Sequence, residues 1–230
     1  MASTIHIVIP IYPGVTQLDF TGPHQFFSRV PGTEVVVASV GGLPVEAQGL
    51  TFANLADLDA IEACDVLCVP GGLGCLDAAE DTRFIHAIQR LAGTSRYLTS
   101  VCTGSLILGA AGLLQGRHAA CHWAWRDMLP LFGALPNAGR IVRDGNLITG
   151  GGVTAGIDLA LTVIAELLGD ETAQAAQLTL EYAPEPPFDA GRPETAPASV
   201  HAHVLDGMAD MQAARYRQAE RLATHLSARP

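Results

Sequence analysis

The chain has 230 residues, 13 Lys plus Arg against 23 Asp plus Glu, a formal net charge of -10, and 49% hydrophobic against 16% charged residues. That composition supplies a large core, which excludes a mainly disordered chain, and the length suits one α/β domain over residues 1–230. The acidic balance argues against a phosphate-binding surface and against docking on anionic lipid, so neither nucleic acid nor membrane is expected as a partner.

The first residues, Met1 to Pro10, carry no basic stretch or small-residue cleavage site and do not read as a signal peptide. No run of about 18 apolar residues suggests a membrane span. Five cysteines, an odd number, make no disulfide framework, so a reduced, cytoplasmic setting is expected.

Along the chain, Ile5 to Ile11 is rich in β-branched residues and closes at Pro13-Gly14. Glu34 to Val40 closes at Gly41-Gly42, Val66 to Val69 at Pro70-Gly71-Gly72, and Tyr97 to Val101 runs straight into Cys102. Such runs read as strands buried on both faces of a parallel sheet. Helical patterns alternate with them. Asp81 to Leu91 spaces Phe84, Ile88 and Leu91 on one stripe, while Ser105 to Leu114 and Thr154 to Leu168 are apolar almost all round. The alternation predicts an α/β sandwich. Residues 183–199 hold Pro184, Pro186, Pro187, Pro193 and Pro197 and read as a loop. From 200 to 226 a terminal helix follows, whose Val200, Val204, Met208 and Met211 make an apolar face that should dock on its own domain or on a partner.

The chemistry is expected where the fourth strand meets Cys102-Thr-Gly-Ser105. A sharp strand-to-helix turn lifts one side chain above the carboxyl edge of the sheet, and free N–H groups at the helix start favour a thiolate, so a lowered thiol pKa is expected. The plainer reading is a buried cysteine serving as a small apolar residue. Cys64 and Cys68 flank a strand, Cys75 follows a glycine turn, and Cys121 precedes His122. None of these completes a zinc pattern, and His201 and His203, two apart on a helix, point in different directions, so no metal is expected. Asp19 follows the first strand and shares the carboxyl edge with Cys102, and it reads equally as a proton partner or as a helix N-cap or first-turn acid. His122 reads equally as a site residue or as a packed histidine. Pro70-Gly71-Gly72-Leu73-Gly74 and the glycines at 150–152 lack the order of a phosphate loop. Phe26, Trp123, Trp125 and Phe188 are candidate pocket walls, each equally a core residue.

Taken together, these segments resemble the DJ-1/PfpI superfamily and, within it, the isocyanide hydratases. The resemblance is carried by Gln17-Leu-Asp-Phe-Thr-Gly-Pro23, Ser100-Val-Cys-Thr-Gly-Ser105 and its continuation to Leu114, His122-Trp123, Asp144 to Asp158, and Glu181 to Phe188. It implies a flavodoxin-like α/β sandwich with a mostly parallel central sheet, of the class I glutamine amidotransferase-like kind, followed by the C-terminal helix. It also implies Cys102 as nucleophile, Asp19 as acid/base, and Thr103 in contact with the reacting group or with Asp19. The N–H groups of Gly72 and Leu73 would line the site, Val153 would approach Cys102 from the opposing loop, and His122 and Trp123 are possible pocket residues. A homodimer is implied as well.

Peptidase-like relatives carry His directly after the cysteine, where this chain has Thr103. Some relatives are regulators with a C-terminal DNA-binding module, for which a single terminal helix leaves no room. The implied reaction is hydration of an isocyanide, with water as second substrate and no cofactor. Glyoxalase or deglycase chemistry on 2-oxoaldehydes is the nearest alternative, although relatives of that kind commonly carry Glu where Asp19 stands. A cysteine redox or ligand sensor is the alternative outside catalysis.

Overall fold

The computed structural model describes residues 4–227. The limits of the expected domain at residues 1 and 230 lie outside it. One seven-stranded sheet organises the chain. Its strands are β1 (Ile5–Pro10), β2 (Thr33–Ser39), β5 (Ala56–Asp57), β6 (Val66–Val69), β7 (Tyr97–Val101), β10 (Ile141–Asp144) and β11 (Leu147–Gly150). The short β3 (Val45–Ala47) and β4 (Leu50–Phe52) pair with each other, as do β8 (His118–Ala119) and β9 (Leu135–Pro136).

The order across the large sheet is β10-β11-β7-β6-β1-β2-β5. Every neighbouring pair is parallel except the β10–β11 hairpin. Strand β1 is central: Ile7 lies beside Val35 of β2 on one side and Val66 of β6 on the other. All four residues of β6 are buried, as an apolar strand covered on both faces requires.

The helices are α1 (Gln17–Phe27), α2 (Cys75–Glu80), α3 (Thr82–Ala92), α4 (Gly104–Ala110), α5 (Ala155–Leu168), α6 (Asp170–Thr179) and α7 (Ala198–Ser227). Helix α5 packs on α1 and on β7 and β11, while α4 packs on β6, β7, α2, α3 and α7. Asp81 caps α3, its carboxylate accepting from Arg83 N at 2.8 Å and from Phe84 N at 3.3 Å. From β1 the chain moves outward to β2 and β5, then returns to β6 on the other side of β1. The reversal of strand order therefore lies between β1 and β6, and a doubly wound sheet opens a crevice at its carboxyl edge at such a point.

Sequence and structure agree on β6 and β7 residue for residue, on α3 and α5 to within one residue at each end, and on α7 to within two. Helix α4 ends at Ala110 rather than Leu114, because the chain turns at Gly112 with a φ of +78°, which L side chains rarely adopt. The apolar stripe on α7 splits in two. Met208 and Met211 pack on the core, whereas Val200 and Val204 remain 46% and 39% exposed. Docking is continued instead by Ala219, Leu222 and Leu226. No described helix is long and apolar enough to cross a membrane.

Candidate active site

Cys102 leaves β7 with a φ of +58°, a left-handed backbone that a side-chain-bearing residue adopts only when its surroundings impose it. The restraint is local. Cys102 N donates to Gly150 O of β11 at 3.1 Å, and Ser105 Oγ donates to Cys102 O at 3.2 Å. Gly104, next along the elbow, has no room for a side chain: a Cβ there would stand 2.1 Å from Val69 O.

Asp19 lies in the first turn of α1 with no exposed surface. The N-cap of α1 is Thr16, so Asp19 is a first-turn acid and not the cap. It turns inward, and its Oδ2 accepts from Gly71 N at 3.0 Å, while Oδ1 is buried with no hydrogen-bond partner among the described residues. Thr103 joins the same loop, its Oγ1 accepting from Gly72 N at 2.9 Å and donating to Gly72 O at 3.2 Å. These contacts explain the glycine after Pro70. A Cβ on Gly71 would come within 2.4 Å of Thr103 N and 2.9 Å of Asp19 Oδ2. Gly72, at a φ of +144°, is held against Val15 by an isolated bridge and could carry no Cβ beside Thr16 N.

Burial raises the Asp19 pKa from its ordinary 3.8 to about 7, against the opposing pull of the Gly71 N–H and the neighbouring Cys102 side chain. Cys102 is also raised, well above an ordinary thiol, first by burial and then by the negative charge available to Asp19. The thiol pKa therefore moves the opposite way from the sequence expectation. A helix of seven residues and the N–H of Thr103 do not offset the loss of solvent. What results is a coupled thiol and carboxyl that resist becoming two adjacent negative charges.

Cys102 sits at the edge of a cavity of about 140 Å³, whereas Asp19, wholly buried behind it, is not part of the lining. Cys102, Thr103, Gly72, Leu73, Val153 and His122 all line it, so the structure gathers these sequence candidates at one place. Three details differ from expectation. The Gly72 N–H is occupied by Thr103 rather than offered to the cavity. Trp123 stands outside the lining, stacked on His122 with ring centroids 5.7 Å apart, and Trp125 takes the wall position. Phe188 is 79% exposed and so belongs to neither wall nor core, while Phe26 takes the core reading and packs edge-on against Tyr182. His122 accepts at Nδ1 from Ala124 N at 3.2 Å, and burial lowers its pKa, which favours the neutral ring.

Sequence reasoning missed Thr16, Leu76, Leu106, Met128 and Arg215 as lining residues and gave Cys75 and Met208 no part in a site. The only signal for the α7 contribution was the apolar stripe containing Met208. Among the described residues, no cluster of three or more His, Cys, Asp or Glu side chains could hold a metal ion. Chemically, the arrangement offers a thiol, a neighbouring protonatable carboxyl and a small, mostly apolar chamber.

The isonitrile hydratase of Pseudomonas putida is 47% identical over 220 residues, covering 95% of this chain and 96% of its own length. A crystal structure of a ThiJ/PfpI family protein from Pseudomonas syringae superposes with a TM-score of 0.90 at 41% identity, over 96% of this chain and 91% of that one. An HTH-type transcriptional regulator of Rhizobium meliloti is 31% identical over 61% of this chain but only 44% of its own length. The family model for DJ-1/PfpI matches residues 5–166, and with the parallel sheet and the cysteine elbow in place the chain belongs to the DJ-1/PfpI family.

Proposed function

We propose that the chain is an isocyanide hydratase, converting R–N≡C and water to the N-substituted formamide, with Cys102 as nucleophile and Asp19 as general acid and base. The observation that carries this reading is a thiol on a left-handed elbow paired with a wholly buried carboxyl whose pKa is raised to about 7. The near full-length likeness to the isonitrile hydratase of Pseudomonas putida supports the reaction class.

The terminal carbon of an isocyanide accepts a nucleophile and then a proton at the same atom. A thiol and carboxyl sharing one proton supply both. Cys102 sulfur forms a bond to that carbon while the shared proton reaches it through Asp19, giving the thioimidate R–N=CH–S–Cys and an ionised Asp19. Asp19 then takes a proton from the attacking water and returns it to nitrogen, leaving a tetrahedral carbon bearing OH, S and NHR. Collapse breaks the carbon–sulfur bond, the hydroxyl proton goes back to the pair, and the formamide R–NH–CHO leaves. Water is the only other reactant in this route. The apolar chamber suits R, and Thr103, by tying Gly72 to the elbow, keeps the two loops in register.

The test is formamide formation from cyclohexyl isocyanide by the purified, reduced protein, with lactate formation from methylglyoxal measured beside it. Multiple turnovers to N-cyclohexylformamide are expected. Lactate without formamide would replace this reading by the glyoxalase one, and neither product from folded protein would leave the sensor reading.

A further inference from the structure

The cavity contains one group that hydration itself does not use. Arg215 of α7 lines it and is the only permanently charged cation among its described lining residues. The side chain is 19% exposed, and its Nη1 is buried with no hydrogen-bond partner among the described residues. The nearest carboxylate, Asp77 on α2, stands 3.9 Å from Nη1 at Oδ2, beyond hydrogen-bonding distance, and is itself 67% exposed. Asp77 Oδ1 is occupied by Gln218 Nε2 at 2.8 Å, and Gln212 Nε2 donates to Ala124 O at 2.7 Å. The docking of α7 is thus served by its two glutamines and its apolar residues, and the Arg215 Nη1 is left over.

A guanidinium N–H buried without an acceptor is costly, and the cost is recovered when an anion is supplied. We infer that Arg215 binds a carboxylate on the substrate, so that the preferred substrates of this site are short isocyanides carrying an acid group at the end away from the isocyanide carbon. Guanidinium and carboxylate match in charge and in planar, forked geometry. The dimensions agree with a compact molecule. Cys102 and Arg215 line one cavity of about 140 Å³, whose walls also include Leu76, Leu106, Met128 and Met208. In a chain of net charge -10, a guanidinium in the lining, paired only at 3.9 Å with the exposed Asp77, also distinguishes the chamber from the surface around it.

The inference rests on the hydratase reading, and the experiment separates the two. Isocyanoacetate and its methyl ester are compared as substrates by kcat/KM, in the parent and in Arg215→Met and Arg215→Gln. The parent should prefer the acid over the ester. Each variant should lose about 10-fold or more of that preference, the worth of a charge-assisted hydrogen bond, while hydration of the ester stays within about 3-fold. A merely structural role for Arg215 would lower both substrates together and leave the ratio unchanged. Should one variant fail to fold, the other carries the same ratio. Hydration of the ester with an unchanged ratio, or a parent that prefers the ester, overturns the carboxylate assignment alone. Hydration of neither substrate overturns the hydratase reading and this inference with it.

Discussion

Cys68 and Cys102 are the same residue type on or just beyond adjacent strands, and they differ in all that matters for chemistry. Cys68 lies within β6 opposite Thr99, fully buried, with burial pushing its thiol up to about 12. Cys102 is also buried and its thiol is also raised. Neither burial nor direction of titration separates them. Backbone conformation and access to the cavity do: Cys102 stands at a φ of +58° and lines the cavity, whereas Cys68 belongs to the ladder and, although the Asp19 carboxyl acts on it as well, lies outside the lining. A buried cysteine becomes a candidate nucleophile through the bend that lifts it from the sheet and the acid set next to it.

Substituting the two cysteines tests that contrast most severely. Cys102→Ala is expected to lower kcat/KM for cyclohexyl isocyanide by at least about 10³-fold with little change in urea denaturation. Cys68→Ala should keep activity within a few-fold and lose about 1–2 kcal/mol of unfolding free energy. The reverse pattern would erase the distinction.

Next in size is the loop that joins acid to elbow. Gly71→Ala forces a Cβ to 2.4 Å from Thr103 N and 2.9 Å from Asp19 Oδ2. A loss of about 10²-fold in kcat/KM is expected, with about 1–3 kcal/mol of stability. Unchanged activity would show that the register of these loops is unimportant.

The smallest effect sharpens the proton count. With Asp19 at about 7 and the Cys102 thiol above its ordinary range, the pair passes from two protons to one as pH rises through 7. The parent kcat/KM should therefore rise through that pH and fall only where the thiol ionises, and Asp19→Asn should lack the limb near 7. Stability moves in the opposite sense. Between 3.8 and about 7 the folded chain holds a proton on Asp19 that the unfolded chain has released, so stability falls as pH rises. From pH 5 to pH 8 the parent should lose roughly 2–3 kcal/mol relative to Asp19→Asn, measured by urea denaturation at each pH. A constant difference would place the Asp19 pKa in the ordinary carboxylate range.

The strands that frame the site were legible because each is a short apolar run ended by glycine, proline or the elbow itself, and β6 and β7 fall on the residues the sequence marks. Cys102 was legible for the same reason, as a cysteine between a β-run and Thr-Gly-Ser. Asp19 was legible only as one of two roles. Its inward turn is settled by the Gly71 N–H, a contact across the sheet edge that no local pattern encodes. The direction of the thiol pKa was misread because a helix start favours a thiolate only when solvent is near, and the extent of burial is a property of packing. Arg215 was invisible, since its place in the cavity depends on how α7 crosses α2, an element far from it in sequence.

The claim that a covalent bond forms at Cys102 is tested most directly by mixing excess 4-nitrophenyl isocyanide with the protein, quenching in acid within the first turnover, and mapping cysteine-containing peptides by mass spectrometry. The account predicts a mass increase equal to the whole isocyanide on the peptide holding Cys102, absent from the peptides holding Cys64, Cys68, Cys75 and Cys121. An adduct on one of those four instead, with Cys102 unmodified while formamide accumulates, would contradict it.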